Sequence, residues 1–179
     1  MRNQNQSIRN LVLAALMLAL AYILPNFTGN IPQIGSMLLP MHLPTILCGF
    51  LCGGPWGAAV GFLAPLMRSL ILTMPPMYPT AIAMAFEMAA YGLVSGLLYR
   101  RLPKNLVGIY TALIGAMVCG RVVWGIVTAL LLLNGEGFTL AAFIAGAFTN
   151  AIPGIILQLV AIPVVVLALQ KAKLIAQPA

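Results

Sequence analysis

The chain has 179 residues, of which 62% are hydrophobic and 6% charged, and its formal net charge is +7. A mean hydropathy of +1.05 excludes a soluble globular domain and places the protein in a bilayer. At about 20 apolar residues per spanning helix there is room for roughly six spans and no sizeable soluble part.

The first apolar segment covers residues 8–24. The preceding MRNQNQSIRN has the look of a signal peptide, but Leu24, Pro25 and Asn26 supply no small-residue cleavage site, so the segment is expected to stay as a first helix. It carries an AxxxA pair, Ala15 and Ala19. The connection that follows, NFTGNIPQIGSMLLPMH, mixes turn formers with Ile31, Ile34, Met37 and Leu38. Irregular backbone bearing apolar side chains is expected to fold back over a cavity, covered by protein instead of lipid.

The second segment, 43–51, is short for a full span and ends at Gly53, Gly54 and Pro55, where a third helix over 56–73 begins. The connection TMPPMYPT, stiffened by Pro75, Pro76 and Pro79, is expected to form a rim of defined shape. Three further segments follow at 79–100, 105–133 and 140–170. The expected fold is an all-α, six-helix transmembrane bundle, a single domain over residues 1–179, with the first outer loop folded over a binding pocket.

Cytoplasmic loops hold an excess of Lys and Arg. With six alternating segments, Arg2, Arg9, Arg100, Arg101, Lys104, Lys171 and Lys173 all fall on one side, and the connections 25–42, 74–78 and 134–139 on the other contain neither residue. Both termini are therefore expected in the cytoplasm of a bacterial cell, in a multi-pass membrane protein. The positive charge is an insertion signal and not a sign of nucleic-acid binding. Trp56 reads as an interface anchor.

Small residues recur every four positions at Gly53, Gly57 and Gly61, at Gly92 and Gly96, and at Ala112, Ala116 and Gly120, a spacing that lets helix backbones approach closely. Cys48, Cys52 and Cys119 lie in apolar runs without metal-site spacing and read as packing residues. No metal or cofactor is expected.

Ionisable residues inside the spans carry the functional information. At 1.5 Å per residue, Arg68, Glu87 and Arg121 lie about 8, 12 and 18 Å from the outer ends of their helices. Such side chains are costly at membrane depth unless paired or wetted, so they are expected to face one another or a pocket open to the outside. Thr80, Met84, Glu87 and Tyr91 share one face. Trp124 and Thr128 continue the stripe of Arg121, and Asn150, Gly154 and Gln158 recur every four residues. Apolar and aromatic walls with a few fixed polar groups make a small-molecule site.

Glu87 either contacts the ligand or pairs with an arginine to tie helices together. One carboxylate does not neutralise two guanidinium groups, and the spare positive charge invites a carboxylate or phosphate held by the planar donor fork of arginine. His42, between Pro40 and Pro44, is either a ligand contact or an interfacial residue. The candidate ligand-binding set is Arg68, Glu87, Tyr91, Arg121, Trp124, Asn150 and His42.

These features resemble one family, the substrate-binding S component of energy-coupling factor (ECF) vitamin transporters. The resemblance is carried by the six segments, the AxxxA of Ala15 and Ala19, the long first outer connection, and the stretches LPMHLPTILCGFLCGGPWG, MPPMYPTAIAMAFEMAAYG and AFTNAIPGIILQL. It implies capture of a vitamin or similar micronutrient in a pocket made by the outer connections and the fourth to sixth helices. It further implies that Ala15 and Ala19 contact a transmembrane coupling (T) subunit, that two cytoplasmic ATPase subunits drive the cycle, and that the component topples in the bilayer on docking. Two arginines favour an acidic compound such as pantothenate, and riboflavin stays open.

The sequence fits that division of labour. It has no GxxxxGK[ST] phosphate loop for ATP and no HExxH, paired catalytic Asp or GxSxG, so no enzyme activity is expected. The alternative is a self-contained secondary transporter or channel in which Glu87 carries protons. No internal repeat of the kind many such transporters have is visible.

Overall fold

In a computed structural model of the chain the described residues are 2–28, 37–133 and 139–172. Ile31 and Ile34 of the first connection, on which the covering loop was expected, and Lys173 lie outside them.

Every regular element among the described residues is helical. Helix α1 (Arg2–Ile23) is followed by a 3-10 turn (Leu24–Thr28), then α2 (His42–Cys52), α3 (Gly54–Leu72), a π-helical turn (Met77–Ala81), α4 (Ile82–Arg101) and α5 (Leu106–Leu131). A short α6 (Leu140–Ile144) runs through a second π-helical turn (Ala145–Thr149) into α7 (Ile152–Lys171). Five stretches are long and apolar enough to cross a membrane: Gln6–Phe27, Gly54–Leu72, Met77–Arg101, Leu106–Leu131 and Ile152–Lys171.

The sixth helix of the expected bundle is α2, and its 11 residues reach only about half the depth of the hydrocarbon layer. Nine of them are buried, from His42 to Cys52. A short helix survives at membrane depth because protein covers it: α1, α3, α4 and α7 all pack on it. Its carboxyl end is Gly53, at φ 96°, a left-handed conformation that favours glycine. A Cβ there would also strike the Arg100 guanidinium, 2.2 Å away, and Arg100 Nη2 donates to the Cys52 carbonyl at 3.4 Å.

Helix α4 is the hub, packing on α2, α3 and α5. The small-residue spacing explains how. A Cβ on Gly92 would stand 2.2 Å from the carbonyl carbon and oxygen of Gly57, one on Gly61 2.3 Å from the Met88 carbonyl oxygen, and one on Gly96 2.2 Å from the Gly54 nitrogen. Helices α3 and α4 therefore meet backbone to backbone, where dispersion is densest and no side-chain entropy is lost. The outer surface is apolar, with Leu70, Val107, Val118, Ile126, Val160 and Val164 exposed, as a lipid-facing surface requires.

At the basic end the α4–α5 turn is closed by hydrogen bonds. Asn105 caps α5, its side chain accepting from Gly108 N at 2.9 Å. Gln170 Nε2 donates to the Tyr99 hydroxyl at 2.9 Å and to the Lys104 carbonyl at 3.0 Å. The Lys104 ammonium donates to the Tyr99 and Leu102 carbonyls and lies 4.2 Å from the Tyr99 ring centroid; partial burial pulls its pKa below the ordinary lysine value.

The expected segment 140–170 is not one helix. It breaks after Ile144, where Asn150 N reaches back five residues to the Ala145 carbonyl at 2.9 Å. Pro153, which has no N–H to give, then sits in the first turn of α7. The fourth segment likewise opens with a π-helical turn, in which Tyr78 leaves helical geometry and donates from its hydroxyl to the Leu131 carbonyl at the end of α5.

Candidate functional site

Glu87 projects from the second turn of α4 and is 2% exposed. Its Oε1 accepts from Arg121 Nη1 of α5 at 2.8 Å and lies 3.5 Å from His42 Nε2, at the first residue of α2. One turn along α4 from Glu87, the buried Tyr91 ring meets the His42 ring edge-on, with centroids 5.1 Å apart. Gly120 makes room for that ring: a Cβ at this position would stand 2.4 Å from it. Four expected site residues, His42, Glu87, Tyr91 and Arg121, are thus brought together by three helices.

His42 is aimed inward by the backbone ahead of it. Leu39 is 8% exposed and has φ 50°, a left-handed conformation that costs a non-glycine residue about 1–2 kcal/mol. Its carbonyl accepts from His42 N at 3.1 Å. The same segment lies on α7, where a Cβ at Gly154 would be 2.6 Å from the Met37 carbonyl oxygen. The described part of the first connection, 37–41, therefore packs against protein, as its apolar composition requires.

The cluster is rich in unused hydrogen-bonding capacity. Among the described residues, Arg121 Nε and Nη2, both ring nitrogens of His42 and the Tyr91 hydroxyl have no hydrogen-bond partner, and the same holds for the Thr128 hydroxyl and both amide atoms of Gln158. Thr128 lies two turns along α5 from Arg121, on its buried face. Gln158 lies one turn from Gly154 on the buried face of α7. Buried polar atoms are satisfied in the great majority of cases, so a concentration of unsatisfied ones marks a place for polar ligand groups.

The other expected residues lie elsewhere. Arg68 is buried near the end of α3 and donates from Nη1 to the Tyr22 carbonyl at 2.7 Å and to Asn26 Oδ1 at 3.1 Å, with its guanidinium carbon 6.0 Å from the Tyr22 ring centroid. It fastens the carboxyl end of α1. Of the two arginines, Arg121 is the one paired with Glu87. Trp124 is half-buried and stacks on Phe143 of α6, centroids 6.1 Å apart, and Asn150 is exposed in the turn before α7. No pattern in the sequence marks Phe143, Tyr22 or Asn26 as partners.

A second feature lies on the flank. Ala15, Leu18, Ala19, Tyr22 and Ile23 of α1 and Ala64, Met67 and Ile71 of α3 line an apolar groove of about 430 Å³. Both alanines of the AxxxA pair are exposed in it. Among the described residues no cluster of His, Cys, Asp and Glu has the make-up of a metal site.

The fold defines an α-helical, multi-pass membrane protein with a polar cluster buried among its spans. The family profile of the ECF transporter substrate-specific component matches residues 9–166, and the chain belongs to that family. No curated protein and no solved structure matches it. Membership assigns the chain to substrate capture for ECF-type uptake, a binding task and not a catalytic one.

Proposed function

We propose that this protein captures a vitamin or related micronutrient at the outer face of a bacterial cell membrane, with both termini in the cytoplasm. It hands the ligand to a transmembrane T subunit powered by two ATPase subunits. The observation that carries the reading is the buried Arg121–Glu87–His42 cluster with two donors of Arg121 left over. An arginine edge that is fixed on one side by a carboxylate and open on the other is preorganised for a planar acidic group. In this reading Tyr91, Thr128 and Gln158 contact the rest of the ligand. Trp124 offers a ring wall, Asn150 stands at the rim, and Arg68 holds the end of α1 in place beside the site. The groove at Ala15 and Ala19 receives the T subunit, because small exposed residues let another helix approach closely.

Two measurements test this. Native mass spectrometry of the purified chain, after exposure to a mixture of water-soluble vitamins, is expected to retain one compound, and an acidic one such as pantothenate ahead of riboflavin. Proteoliposomes are expected to accumulate that compound only when the T and ATPase subunits are present with ATP. Accumulation by this chain alone would overturn the reading in favour of a self-contained transporter.

A further inference from the structure

Glu87 is the sole carboxylate side chain among the described residues, and Arg121 Nη1 at 2.8 Å and His42 Nε2 at 3.5 Å both approach its Oε1. Counting Arg121 as positive, Glu87 as negative and the imidazole as neutral, the cluster sums to zero, the arrangement that buried ions require. Arg121 Nε and Nη2 still have no hydrogen-bond partner among the described residues. An anion docked on that edge leaves the cluster with one negative charge in excess, at a depth where an unbalanced charge is costly. One proton restores the balance. Histidine is the side chain whose charge changes between about pH 5 and 8, and here it already faces the carboxylate.

Among the described residues nothing else nearby competes for that role. From α4 the groups beside His42 are the Glu87 carboxylate and the Tyr91 ring, and from α5 comes Arg121, on the same Glu87 oxygen. On α2 itself, Cys48 and Cys52 lie six and ten residues further toward the basic end. From α3, Arg68 is held by Tyr22 and Asn26 of the α1 end. The described charged side chain of α1 is Arg9 and that of α7 is Lys171, both at the basic end, and α7 otherwise offers the uncharged Gln158.

Taking this cluster as the ligand site, as above, we propose that it binds a singly charged anion, of the monocarboxylate class, together with one proton. The anion sits on the Nε and Nη2 edge of Arg121. One O–H bond of a hydronium ion in bulk solvent breaks, leaving water, as one N–H bond forms on the His42 imidazole, which faces Glu87 Oε1 through Nε2, and no other covalent bond is made or broken. A dianion such as a phosphate monoester needs a second proton and is rejected on that account.

The chain contains a single histidine, so imidazole nitrogen NMR of the full chain in lipid nanodiscs reads the step directly. The probes are pantothenate, biotin and nicotinate as monocarboxylates and riboflavin as the neutral probe. At about pH 7.5 a bound monocarboxylate is expected to convert His42 to the doubly protonated ring. By calorimetry its Kd is expected to weaken about tenfold per pH unit above neutrality, the slope for uptake of one proton. Glu87→Gln removes the charge deficit, so the slope should vanish and binding near pH 8 should be about tenfold tighter than in the native chain. His42→Gln should also abolish the slope but hold the affinity at its weak, high-pH value.

A monocarboxylate bound with the His42 signals unchanged and no pH slope overturns the proton step. Riboflavin binding with no monocarboxylate binding overturns the anion class and leaves micronutrient capture standing. Binding of none of the four probes overturns both.

Discussion

At the scale of single residues, the distance from Arg121 Nη1 to Glu87 Oε1, 2.8 Å, makes the pair interdependent. Replacing Arg121 by Met strands a buried carboxylate, and breaking a buried pair from one side costs about 3–5 kcal/mol. The single variant is therefore expected to lose ligand binding and also to fall sharply in yield and thermal stability in detergent. The double variant Arg121→Met with Glu87→Gln carries no stranded charge and is expected to recover most of that stability while still failing to bind the ligand. If the double variant melts as low as the single one, the pair is not the source of the loss. Glu87 and Arg121 were legible in the sequence because an ion in an apolar run is rare enough to demand a partner. The role of Arg68 was not, because its partners are a backbone carbonyl and the Asn26 amide, and neither leaves a charge pattern to read.

Among elements, the close approach of α3 and α4 is set by glycine at both sides of one contact. Gly92→Ala would drive a methyl into the Gly57 carbonyl at 2.2 Å. Backbone cannot step aside as a side chain can, so overpacking of about 1–3 kcal/mol is expected to exceed the gain in helix propensity of about 1 kcal/mol. Gly115→Ala is the matched control, since its Cβ meets only the end of the Leu98 side chain at 2.8 Å, which can rotate away. Thermal melts in detergent should show Gly92→Ala lower than the native chain and Gly115→Ala equal or higher; the reverse order would mean that this contact does not limit packing. Glycines four apart announced such surfaces in the sequence. The break in 140–170 was not announced, because hydropathy is blind to a π-helical turn and Pro153 reads equally well inside a span or at its start. That break took Asn150 out of the strip it was expected to form with Gly154 and Gln158, and left it exposed.

For the whole molecule, the polar cluster and the flank groove occupy different places, yet α1 serves both, lining the groove and packing on α2, the helix that begins with His42. Helix α1 buries Ala14 and Met17 in the core that holds Ile46, Leu47 and Phe50 of α2, and Ala21 in a second cluster with Met41, Ala64 and Met88, while Ala15 and Ala19 face outward into the groove. That 3.6-residue rotation separates two tasks on one chain: the inward stripe supports the helix that begins with His42, and the outward stripe is free for a partner. Composition was enough to read the membrane class, and the small-residue pair was enough to mark the outward stripe. The shortness of α2 was visible in the sequence as well, but its burial on all sides was not, since a single apolar run does not say how many neighbours cover it. The separation has a measurable consequence. Ala19→Leu fills the groove with an isobutyl group without reaching the ionic cluster, so ligand Kd is expected to stay within about twofold of the native value, a shift of less than 0.5 kcal/mol. Uptake in proteoliposomes with the T and ATPase subunits is expected to fall by at least about tenfold, because bulk at a small-residue contact prevents close helix approach. Full uptake by Ala19→Leu would move the coupling surface off this face, and a loss of ligand affinity would show that the two places are not independent.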